Sequence, residues 1–383
     1  MENPLRVLVV APLGVGGVTN MMVNIQKRID RTKVNFDYLT FHDRKEPMED
    51  IVCSLGSKKI VASVDNIKIK PLRRIARMYM IAKVCKDNNI EVMHYNADGP
   101  IDMTNIIAAK RGGVKYITIH SHNASAGNAG KLIEVFGCLL RPLIPRYCNS
   151  FWGCSDLAAR FLLPKSIIDR EEYTVVPNGI DLDKYDYNEL VRTNKRAEMG
   201  LQEKLVIGHA GRFCNQKNQD FLIDVFDQIH KKNDKAVLIL FGVGEMLDKI
   251  KSKVQTLGLN DCVTFMGASD EMHVMWQVID LFVMPSLHEG LPVTGIEAQA
   301  SGVKCFFSSE ITREVDVSGN STFIGLDKSA DEWANTVLQY SEYNRKSGVT
   351  SLREARYDIR DTAKFVEEHY INVGKCIVED IDD

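Results

Sequence analysis

The chain has 383 residues, of which 45% are apolar and 26% are charged, and its formal net charge is −3. This length favours two domains over one, and the charge balance excludes a basic nucleic-acid-binding protein. The sequence has no apolar run of the ~20 residues that a membrane-spanning helix needs, and its nine scattered cysteines indicate reduced thiols in a cytoplasmic protein rather than a zinc site.

Strand-like and helix-like runs alternate through the first half of the chain. Short apolar runs bounded by turn residues predict strands, and longer runs with a helical period predict helices. The predicted strands are 5–10, 35–41, 58–64, 91–95, 115–120 and 150–154. The predicted helices are 18–29, 71–88, 100–111, 130–147 and 156–163. This alternation predicts a mostly parallel sheet with helices on both faces.

The same alternation restarts after a polar stretch at 184–204, which we interpret as a linker. Further strands are predicted at 204–210, 236–242, 262–267, 280–285 and 303–307. Further helices are predicted at 217–231, 245–257, 270–278, after Pro292, and at 351–368. The predicted fold class is therefore α/β, with two doubly wound, Rossmann-like domains at 1–183 and 184–365 that face a central cleft. Residues 366–383 are expected to be a helix end and an acidic tail that packs back toward the first domain.

Ligands of doubly wound sheets bind at the carboxyl ends of strands, and the loop Gly14–Gly17 is the first segment there. Its glycines would let the backbone approach an oxyanion closely. A glycine turn is also a common plain connection, so this loop alone leaves both interpretations open. It lacks the third glycine and the acidic partner of a dinucleotide fingerprint, which disfavours an NAD-dependent oxidoreductase.

The second segment is His120-Ser121-His122-Asn123, just past a predicted strand. Either histidine is suited to orienting a substrate hydroxyl or to titrating near neutral pH. A single histidine in such a place is more often structural. Two of the chain's nine histidines at one strand end favour a functional site.

The third segment is Gly211-Arg212-Phe213-Cys214-Asn215-Gln216-Lys217. Arg212 offers a fork of donors for a phosphate. Lys217 would lie at a helix start, where a positive charge is unfavourable unless an anion is also bound. The alternative is a pair of solvated surface cations.

The fourth segment, 286–302, reads SLHEGLPVTGIEAQASG and carries Glu289 and Glu297 eight positions apart. Pro292 suits the first position of a helix, and the free N–H groups of a helix start favour a phosphate. The two carboxylates suit sugar hydroxyls better than the acid–base pair of a hydrolase. A further glycine turn, Gly242-Val243-Gly244-Glu245, is either part of the same site or a plain loop.

These segments together resemble the retaining glycosyltransferases of family 4. The two glutamates stand in the setting EGLP…EAxAxG, and GRF…QKN at 211–218, VPNGID at 176–181 and the glycine loop support the match. HSHN at 120–123 is similar to the branch that builds capsular polysaccharides and exopolysaccharides. The resemblance covers the whole chain and implies the GT-B fold of two Rossmann-like domains.

The resemblance implies a site for a nucleotide-sugar donor. Arg212 and Lys217 would bind the diphosphate. Glu297 would bind the ribose hydroxyls, and Glu289 would bind hydroxyls of the donor sugar. His120 would be the active-site histidine, with His122 and Asn123 as secondary or acceptor contacts. The other implied donor contacts are Gly16, Gly17, Gly242, Gly290, Leu291, Pro292 and Val293.

The resemblance also implies a reaction that retains the anomeric configuration. The acceptor hydroxyl would attack from the face that the nucleotide leaves, and the departing phosphate would take its proton. No metal or other cofactor is expected, because the family needs none and the chain has no DxD motif in the usual setting. Charge on the leaving group would be stabilised by Arg212, Lys217 and a helix start. The prevalence of UDP-sugars in the family makes a UDP-sugar the expected donor.

The acceptor is not encoded in these motifs, and a glycan or a lipid-linked sugar is the expected class. The basic segment Lys68–Arg77 suits contact with anionic lipids at the inner face of the membrane. An ordinary helix with a solvated basic face is the alternative that we favour. A sugar-nucleotide epimerase of the same architecture and a non-catalytic sugar-nucleotide-binding protein stay open as functions, and the sequence does not predict the oligomeric state.

Overall fold

The computed structural model describes residues 4–14, 16–123 and 131–382. The chain divides into two compact units. The first unit comprises Met1–Gly179 together with Tyr357–Asp383, and the second unit is Ile180–Arg356.

The first segment of unit 1 alternates strands with helices. Its strands are β1 (Leu5–Val10), β2 (Val34–Thr40), β3 (Lys59–Val61), β4 (Val92–Ala97), β5 (Tyr116–Ser121), β6 (Ser150–Gly153) and β7 (Thr174–Val175). Its helices are α1 (Gly17–Gln26), α2 (Glu49–Ser54), α3 (Lys70–Asp87), α4 (Met103–Arg111), α5 (Lys131–Leu140), α6 (Ile144–Tyr147), α7 (Asp156–Leu162) and α8 (Lys165–Ile168). Short 3₁₀ turns at Pro100–Asp102 and Arg141–Leu143 precede α4 and α6.

The second unit follows the same plan. Its helices are α9 (Leu182–Tyr185), α10 (Glu189–Glu198), α11 (Gln219–Lys232), α12 (Leu247–Thr256), α13 (Met272–Val278), α14 (Val293–Ala300), α15 (Ala330–Leu338) and α16 (Val349–Glu354). Its strands are β8 (Leu205–Ala210), β9 (Ala236–Phe241), β10 (Val263–Gly267), β11 (Leu281–Met284), β12 (Lys304–Ser308) and β13 (Ser321–Ile324). Two 3₁₀ turns lie at Asn215–Lys217 and Arg313–Val315. The last helix, α17 (Ile359–Asp382), returns to unit 1.

Each unit is built on one parallel sheet. The order is β3-β2-β1-β4-β5-β6-β7 in unit 1 and β10-β9-β8-β11-β12-β13 in unit 2. The order reverses direction between β1 and β4 in the first sheet and between β8 and β11 in the second. Loops that leave these strands diverge to opposite faces, so a ligand crevice forms at each switch point.

Helices bury both faces of the first sheet. Leu8 and Val10 of β1 pack on one side with residues of α3 and α4. Val7 and Val9 pack on the other side with α1 and α17, because successive strand residues point to opposite faces. The terminal helix α17 thereby completes the core of unit 1, and Tyr370 is one of its fully buried side chains.

The structure contains elements that were not predicted, among them α2, β7, β13 and α15, and it also differs from the predictions made for three segments. The predicted linker at 184–204 contains the helix α10, which is held in unit 2 by Arg192 and Arg196. The predicted helix 351–368 is two helices, α16 and α17, which belong to different units, so the second unit ends at Arg356 rather than at residue 365. The predicted helix 130–147 is divided into α5, a 3₁₀ turn and α6, and its residue 130 lies outside the described residues.

Asp280 holds α10 against the second sheet. Its carboxylate pairs with Arg196 at 3.0 Å and with Arg192, and it accepts a hydrogen bond from the backbone N–H of Val206 at 2.8 Å. The Arg196 side chain is only 8% exposed. Removing the carboxylate would leave this guanidinium buried without its counter-charge.

We therefore expect Asp280→Ala to lower the free energy of unfolding of unit 2 by about 3–5 kcal/mol, the usual cost of breaking a buried ion pair. Urea unfolding followed by circular dichroism measures this change. Asp331→Ala is the matched control, because its pair with Lys232 lies on the surface and should contribute little to stability. Equal effects of the two substitutions would contradict the prediction.

Candidate active site

Most of the residues predicted to bind the donor lie at the switch point of the second sheet. β8 and β11 are neighbours, with Gly208 opposite Phe282. Arg212 and Lys217 follow β8, and Glu289 follows β11. The fold therefore brings together two motifs that are more than seventy positions apart in the sequence.

Polar contacts join the two loops directly. The backbone N–H of Leu287 donates to the carbonyl of Gln216 at 2.8 Å, and the Gln216 amide donates to the carbonyl of His288 at 3.0 Å. The Asn218 amide donates to the carbonyl of Pro285 at 3.1 Å. Asn218 has φ of 54°, a left-handed conformation that asparagine tolerates better than most residues. The loops are thus held as one rigid unit.

Lys217 and Glu289 form an ion pair across the switch point. The Lys217 Nζ lies 2.7 Å from Glu289 Oε1, and the two side chains are 16% and 9% exposed. From the sequence, we expected a bound anion to offset the positive charge of Lys217 at a helix start. The anion beside Lys217 in this structure is a carboxylate of the chain itself.

Arg212 has a different environment. Its side chain is 71% exposed, and its guanidinium donates to the carboxylate of Glu245 at 3.0 Å. A surface pair of this kind contributes little to stability. Arg212 is therefore free to exchange Glu245 for a phosphate at small cost.

The glycines of the turn after β9 have a structural role. Gly242 has φ of +132°, and a Cβ built on it would lie 2.0 Å from the carbonyl oxygen of Gly211. The N–H of Phe213 donates to the carbonyl of Val243 at 3.0 Å, and the N–H of Met246 donates to that of Phe213 at 3.0 Å. The turn is packed against the Arg212 loop, and this packing by itself requires glycine at position 242.

Helix α14 begins at Val293, so Pro292 is its N-cap residue rather than its first helical residue. Gly290 and Leu291 form the approach to the helix. The first N–H groups of an α-helix have no partner within the helix, and those of α14 follow directly on the loop that carries Glu289. The segment therefore offers an anion-binding helix start beside the ion pair.

Glu297 lies on α14 and is held by two aromatic side chains. The Tyr185 hydroxyl donates to Oε1 at 3.0 Å, and the Trp276 indole N–H donates to Oε2 at 3.2 Å. Burial raises the pKa of Glu297 to about 7, while the two hydrogen bonds and the charge of Lys184 act in the opposite direction. This carboxyl group therefore changes charge near neutral pH.

A buried histidine contacts the Arg212 loop through Gln219. His209 of β8 contacts the carbonyl of Val283 through Nδ1 at 2.9 Å. Its Nε2 lies 3.4 Å from the amide of Gln219, which donates to the carbonyl of Arg212 at 2.9 Å. Burial lowers the pKa of His209 to about 4, so the imidazole is neutral at pH 7.

The predicted glycine loop of unit 1 is open. Gly16 is the N-cap of α1 and Gly17 its first residue, whereas Val15 lies outside the described residues. A Cβ on Gly14 or Gly16 would meet no atom within 4 Å. Neither glycine is required by contacts with the protein, which leaves space for a ligand to approach this backbone.

His120 is an interior residue. Its side chain has no exposed surface, its Nδ1 lies 3.3 Å from Nε2 of His94, and its ring packs edge-on against Trp152. Burial lowers its pKa well below the usual value. This position does not favour the predicted preference for His120 over His122 as a ligand contact.

His122 lies just past β5 and is 9% exposed. Its Nε2 contacts Asn96 Oδ1 at 2.8 Å, and the Asn96 amide donates to the carbonyl of Val10 at 3.0 Å. The amide of the next residue, Asn123, donates to the carboxylate of Asp98 at 3.3 Å. His122, Asn123 and Asp98 thus share the carboxyl edge of the first sheet, and of the two histidines His122 is the one that reaches the surface.

Two family models match the chain, one in each half. The model described as Glycosyltransferase Family 4 matches residues 15–184, and the model described as Glycosyl transferases group 1 matches residues 191–355. EpsF of Bacillus subtilis (strain 168) is 31% identical over 346 residues, which are 89% of this chain and 88% of EpsF. This chain belongs to the GT4-type glycosyltransferases.

A further relative and two solved structures are also similar to this chain. The UDP-Gal:alpha-D-GlcNAc-diphosphoundecaprenol alpha-1,3-galactosyltransferase of Escherichia coli is 24% identical over 67% of this glycosyltransferase and 65% of its own length. Anabaena Alr3699/HepE in complex with UDP-glucose has a TM-score of 0.74 at 19% identity, covering 95% of this chain and 99% of that one. WaaG, from lipopolysaccharide biosynthesis, has a TM-score of 0.65 at 14% identity, covering 94% and 95%. The predicted GT-B fold is confirmed.

Neither a membrane-spanning helix nor a cluster of metal ligands is present among the described residues of this glycosyltransferase. None of their helices is long and apolar enough to cross a membrane. No three of their histidine, cysteine, aspartate and glutamate side chains are grouped as metal ligands.

The sequence predicted the charged residues of the candidate site but not the residues that form hydrogen bonds with them directly or through another side chain. Tyr185 and Trp276 lie on α9 and α13, and neither stands in a recognisable motif. His209 is part of a strand that reads as plain core. These residues reach the site only through the folding of the chain, so no local pattern could have found them.

Proposed function

We propose that this glycosyltransferase transfers a sugar from a UDP-sugar to a glycan or lipid-linked acceptor in surface polysaccharide biosynthesis. The observation that carries the proposal is the ion pair of Lys217 and Glu289 at the switch point of the second sheet, with Glu297 eight residues further along. The complex of Alr3699/HepE with UDP-glucose supports the donor class. The E. coli galactosyltransferase is named for a diphosphoundecaprenol-linked acceptor, which supports a lipid-linked acceptor here.

In this proposal the donor diphosphate binds between Arg212 and the start of α14. Lys217 contributes a further positive charge, and its ammonium group interacts with both the phosphate and the carboxylate of Glu289. Glu289 also accepts hydrogen bonds from donor-sugar hydroxyls, and Glu297 accepts those of the ribose. We also propose Gly16 and Gly17 as donor contacts, and we assign the histidine contact to His122 rather than His120.

We propose a retaining reaction without a metal ion. The acceptor hydroxyl attacks the anomeric carbon from the face that the nucleotide leaves, the glycosidic C–O bond to the phosphate breaks, and the departing phosphate takes the acceptor proton. Arg212, Lys217 and the helix start stabilise the charge that develops on the leaving phosphate, as preorganised groups do in a desolvated site.

A thermal-shift panel of UDP-, GDP- and ADP-sugars tests the donor. A ligand that binds only the folded state raises the melting temperature, by an amount that grows with its concentration relative to the Kd. We expect a UDP-sugar to give the largest shift. Product analysis with and without an acceptor then separates transfer from epimerisation. A larger shift with a GDP- or ADP-sugar, or an epimer formed without any acceptor, would contradict the proposal.

The exposed side of α3 supports a further element of the proposal, contact with the inner face of the membrane from the cytoplasm. Leu72, Ile75 and Tyr79 are exposed at helical spacing. The basic residues of this segment are partly tied to the protein, since Arg73 donates to the carbonyl of Ile67 at 2.6 Å and the Arg77 guanidinium lies 4.4 Å from the ring centre of Phe41. The side that faces solvent is therefore more apolar than the sequence alone suggested.

We expect Ile75→Glu to reduce flotation of the protein with vesicles that contain anionic lipid, because the charge would have to enter the interfacial region. Leu190→Glu is the matched control, since Leu190 is a similarly exposed apolar residue of unit 2 (69% against 65%). Equal flotation of the two variants would argue against a membrane contact through α3.

A further inference from the structure

The carboxylate of Glu297 is held by donors from two other helices, and each donor is itself fixed. Trp276 has no exposed surface, and its ring packs edge-on against Phe282 of β11 with centroids 5.0 Å apart. The carbonyl of Tyr185 accepts a hydrogen bond from the hydroxyl of Ser301 at 2.7 Å. Ser301 is the C-cap of α14, so Tyr185 is bonded both to the side chain of Glu297 and to the end of the helix that carries it.

This arrangement leaves half of the carboxylate's acceptor capacity unused by the two aromatic donors. An ionised carboxylate can accept about four hydrogen bonds, two at each oxygen. Tyr185 takes one position on Oε1 and Trp276 takes one on Oε2. One position therefore remains on each oxygen, a pattern that matches two neighbouring hydroxyl groups.

We propose that Tyr185 and Trp276 are positioning residues that orient the Glu297 carboxylate to receive the two ribose hydroxyls of a nucleoside diphosphate sugar. The inference rests on the proposed function, in which Glu297 binds the ribose. Aromatic donors suit this task because a side chain with two rotatable bonds loses little entropy when it is fixed. A carboxylate held by two such donors meets the ribose already oriented, and preorganisation of this kind increases affinity.

The two donors also favour the charged form of the carboxylate. Hydrogen bonds to an ionised group favour the ionised form, and they oppose the effect of burial on the pKa of Glu297. The other ionisable groups around this cluster are Lys184, next to Tyr185 on α9, and His273 of α13, whose ring lies 6.3 Å from that of Tyr185. Asp181 adds a negative charge that acts on both Tyr185 and His273. Removing one donor should move the titration of Glu297 to higher pH.

The test is the affinity for UDP between pH 6.0 and 8.5, measured by calorimetry on the full-length protein. We expect Tyr185→Phe to weaken binding by roughly 10-fold at pH 7, the usual effect of losing a hydrogen bond to a charged group. We expect the loss to shrink toward 2-fold at pH 8.5, where Glu297 is again ionised. Trp276→Phe should move the profile in the same direction. Tyr187→Phe is the matched control, because its hydroxyl bonds to the exposed Glu189.

The pH profile distinguishes positioning from a structural defect. A loss of affinity that is equal at all pH values would overturn the positioning role, as would a Tyr185→Phe profile that coincides with those of the unsubstituted protein and Tyr187→Phe. Titration of the terminal phosphate of UDP affects every variant alike and cancels in the comparison. If the unsubstituted protein does not bind UDP at any pH, this result contradicts both the proposed function and the inference. If it binds UDP but the variants do not differ, only the inference falls.

Discussion

Lys217→Met is expected to reduce turnover by a factor of ~10²–10³, the usual effect of removing one preorganised group that stabilises charge in the transition state. Methionine keeps most of the volume of the side chain, so the expected loss comes from the charge. The change also leaves Glu289, which is 9% exposed, without its partner. We therefore expect a measurable loss of stability as well.

The double substitution Lys217→Met with Glu289→Gln separates these two effects. It removes both charges, so it should recover most of the stability that the single change loses, because replacing a whole buried ion pair costs less than breaking it. Turnover should stay low in the double variant. Steady-state transfer assays and urea unfolding of both variants give the two quantities.

Lys253→Met is the control for removal of a partly buried lysine. Its ammonium pairs with Asp220 and Asp224 at 3.1 and 2.7 Å and joins α12 to α11, so this change should affect stability but not turnover by the folded protein. Arg212→Ala should instead affect turnover but not stability, because this exposed side chain contributes little to folding. It should lower turnover by ~10² or more. A folded Lys217→Met or Arg212→Ala variant with nearly full activity would overturn the assignment of the donor site.

The second large effect is an expected steep loss of stability as the pH falls from about 6.5, the ordinary pKa of histidine, toward 4. His94, His122 and His369 of unit 1 have pKa values lowered by burial to about 3, 4 and 4. The unfolded chain binds protons at these positions below about pH 6.5, whereas the folded chain does not until much lower pH. Stability therefore falls as protons are added.

Three such histidines give a slope of about 4 kcal/mol per pH unit, since each contributes about 1.4 kcal/mol per unit while only the unfolded state is protonated. Glu297 acts in the opposite sense. Because burial raises its pKa to about 7, the folded state binds its proton first, and its contribution to stability is lost as the pH rises through 7. This effect belongs to unit 2. In unit 1, burial lowers the pKa of His120 well below its usual value and raises the pKa of Asp102 to about 6, and these two further contributions to the slope have opposite signs.

His369→Phe tests this account. His369 packs among Trp152, Phe365 and Tyr370, so phenylalanine suits its surroundings and removes one titrating group. The slope of stability against pH, from urea unfolding between pH 4.5 and 7, should fall by about 1.4 kcal/mol per unit. His42→Phe is the control, because His42 lies on the surface beside Asp65. An unchanged slope in His369→Phe would show that these histidines do not cause the acid sensitivity.

The sequence predicted the buried parallel strands well because these elements depend on local patterns. β1 was predicted with its observed bounds, and β8 and β11 were placed to within one or two residues. A buried parallel strand is a short apolar run between turns, and this signal does not depend on distant residues. The polar helix α10 was missed for the same reason. Its buried contacts are two arginines on Asp280, more than eighty positions away.

The candidate site also contains residues that local patterns predict and residues that only the tertiary structure places. Arg212, Lys217, Glu289 and Glu297 were identified because their residue types, their spacing and the glycines and proline around them form a local signature. The preference for His120 over His122 remains a prediction that the geometry does not favour. Residues two positions apart lie on the same face of a strand, and the rings of His120 and His122 are 4.1 Å apart. The end of β5 at Ser121 and the packing of Trp152 on His120 separate the two histidines, and the string HSHN does not contain that information.

The sequence by itself therefore determined the family and the fold class and predicted the charged groups of the candidate site, since each depends on short sequence patterns. The tertiary structure alone decided how these groups are paired. Lys217 meets Glu289 because β8 and β11 are neighbours in the sheet, and Glu297 meets Tyr185 and Trp276 because α9 and α13 pack against α14. These contacts join residues 21 to 112 positions apart, and only the closure of the chain around its core brings them within hydrogen-bonding distance.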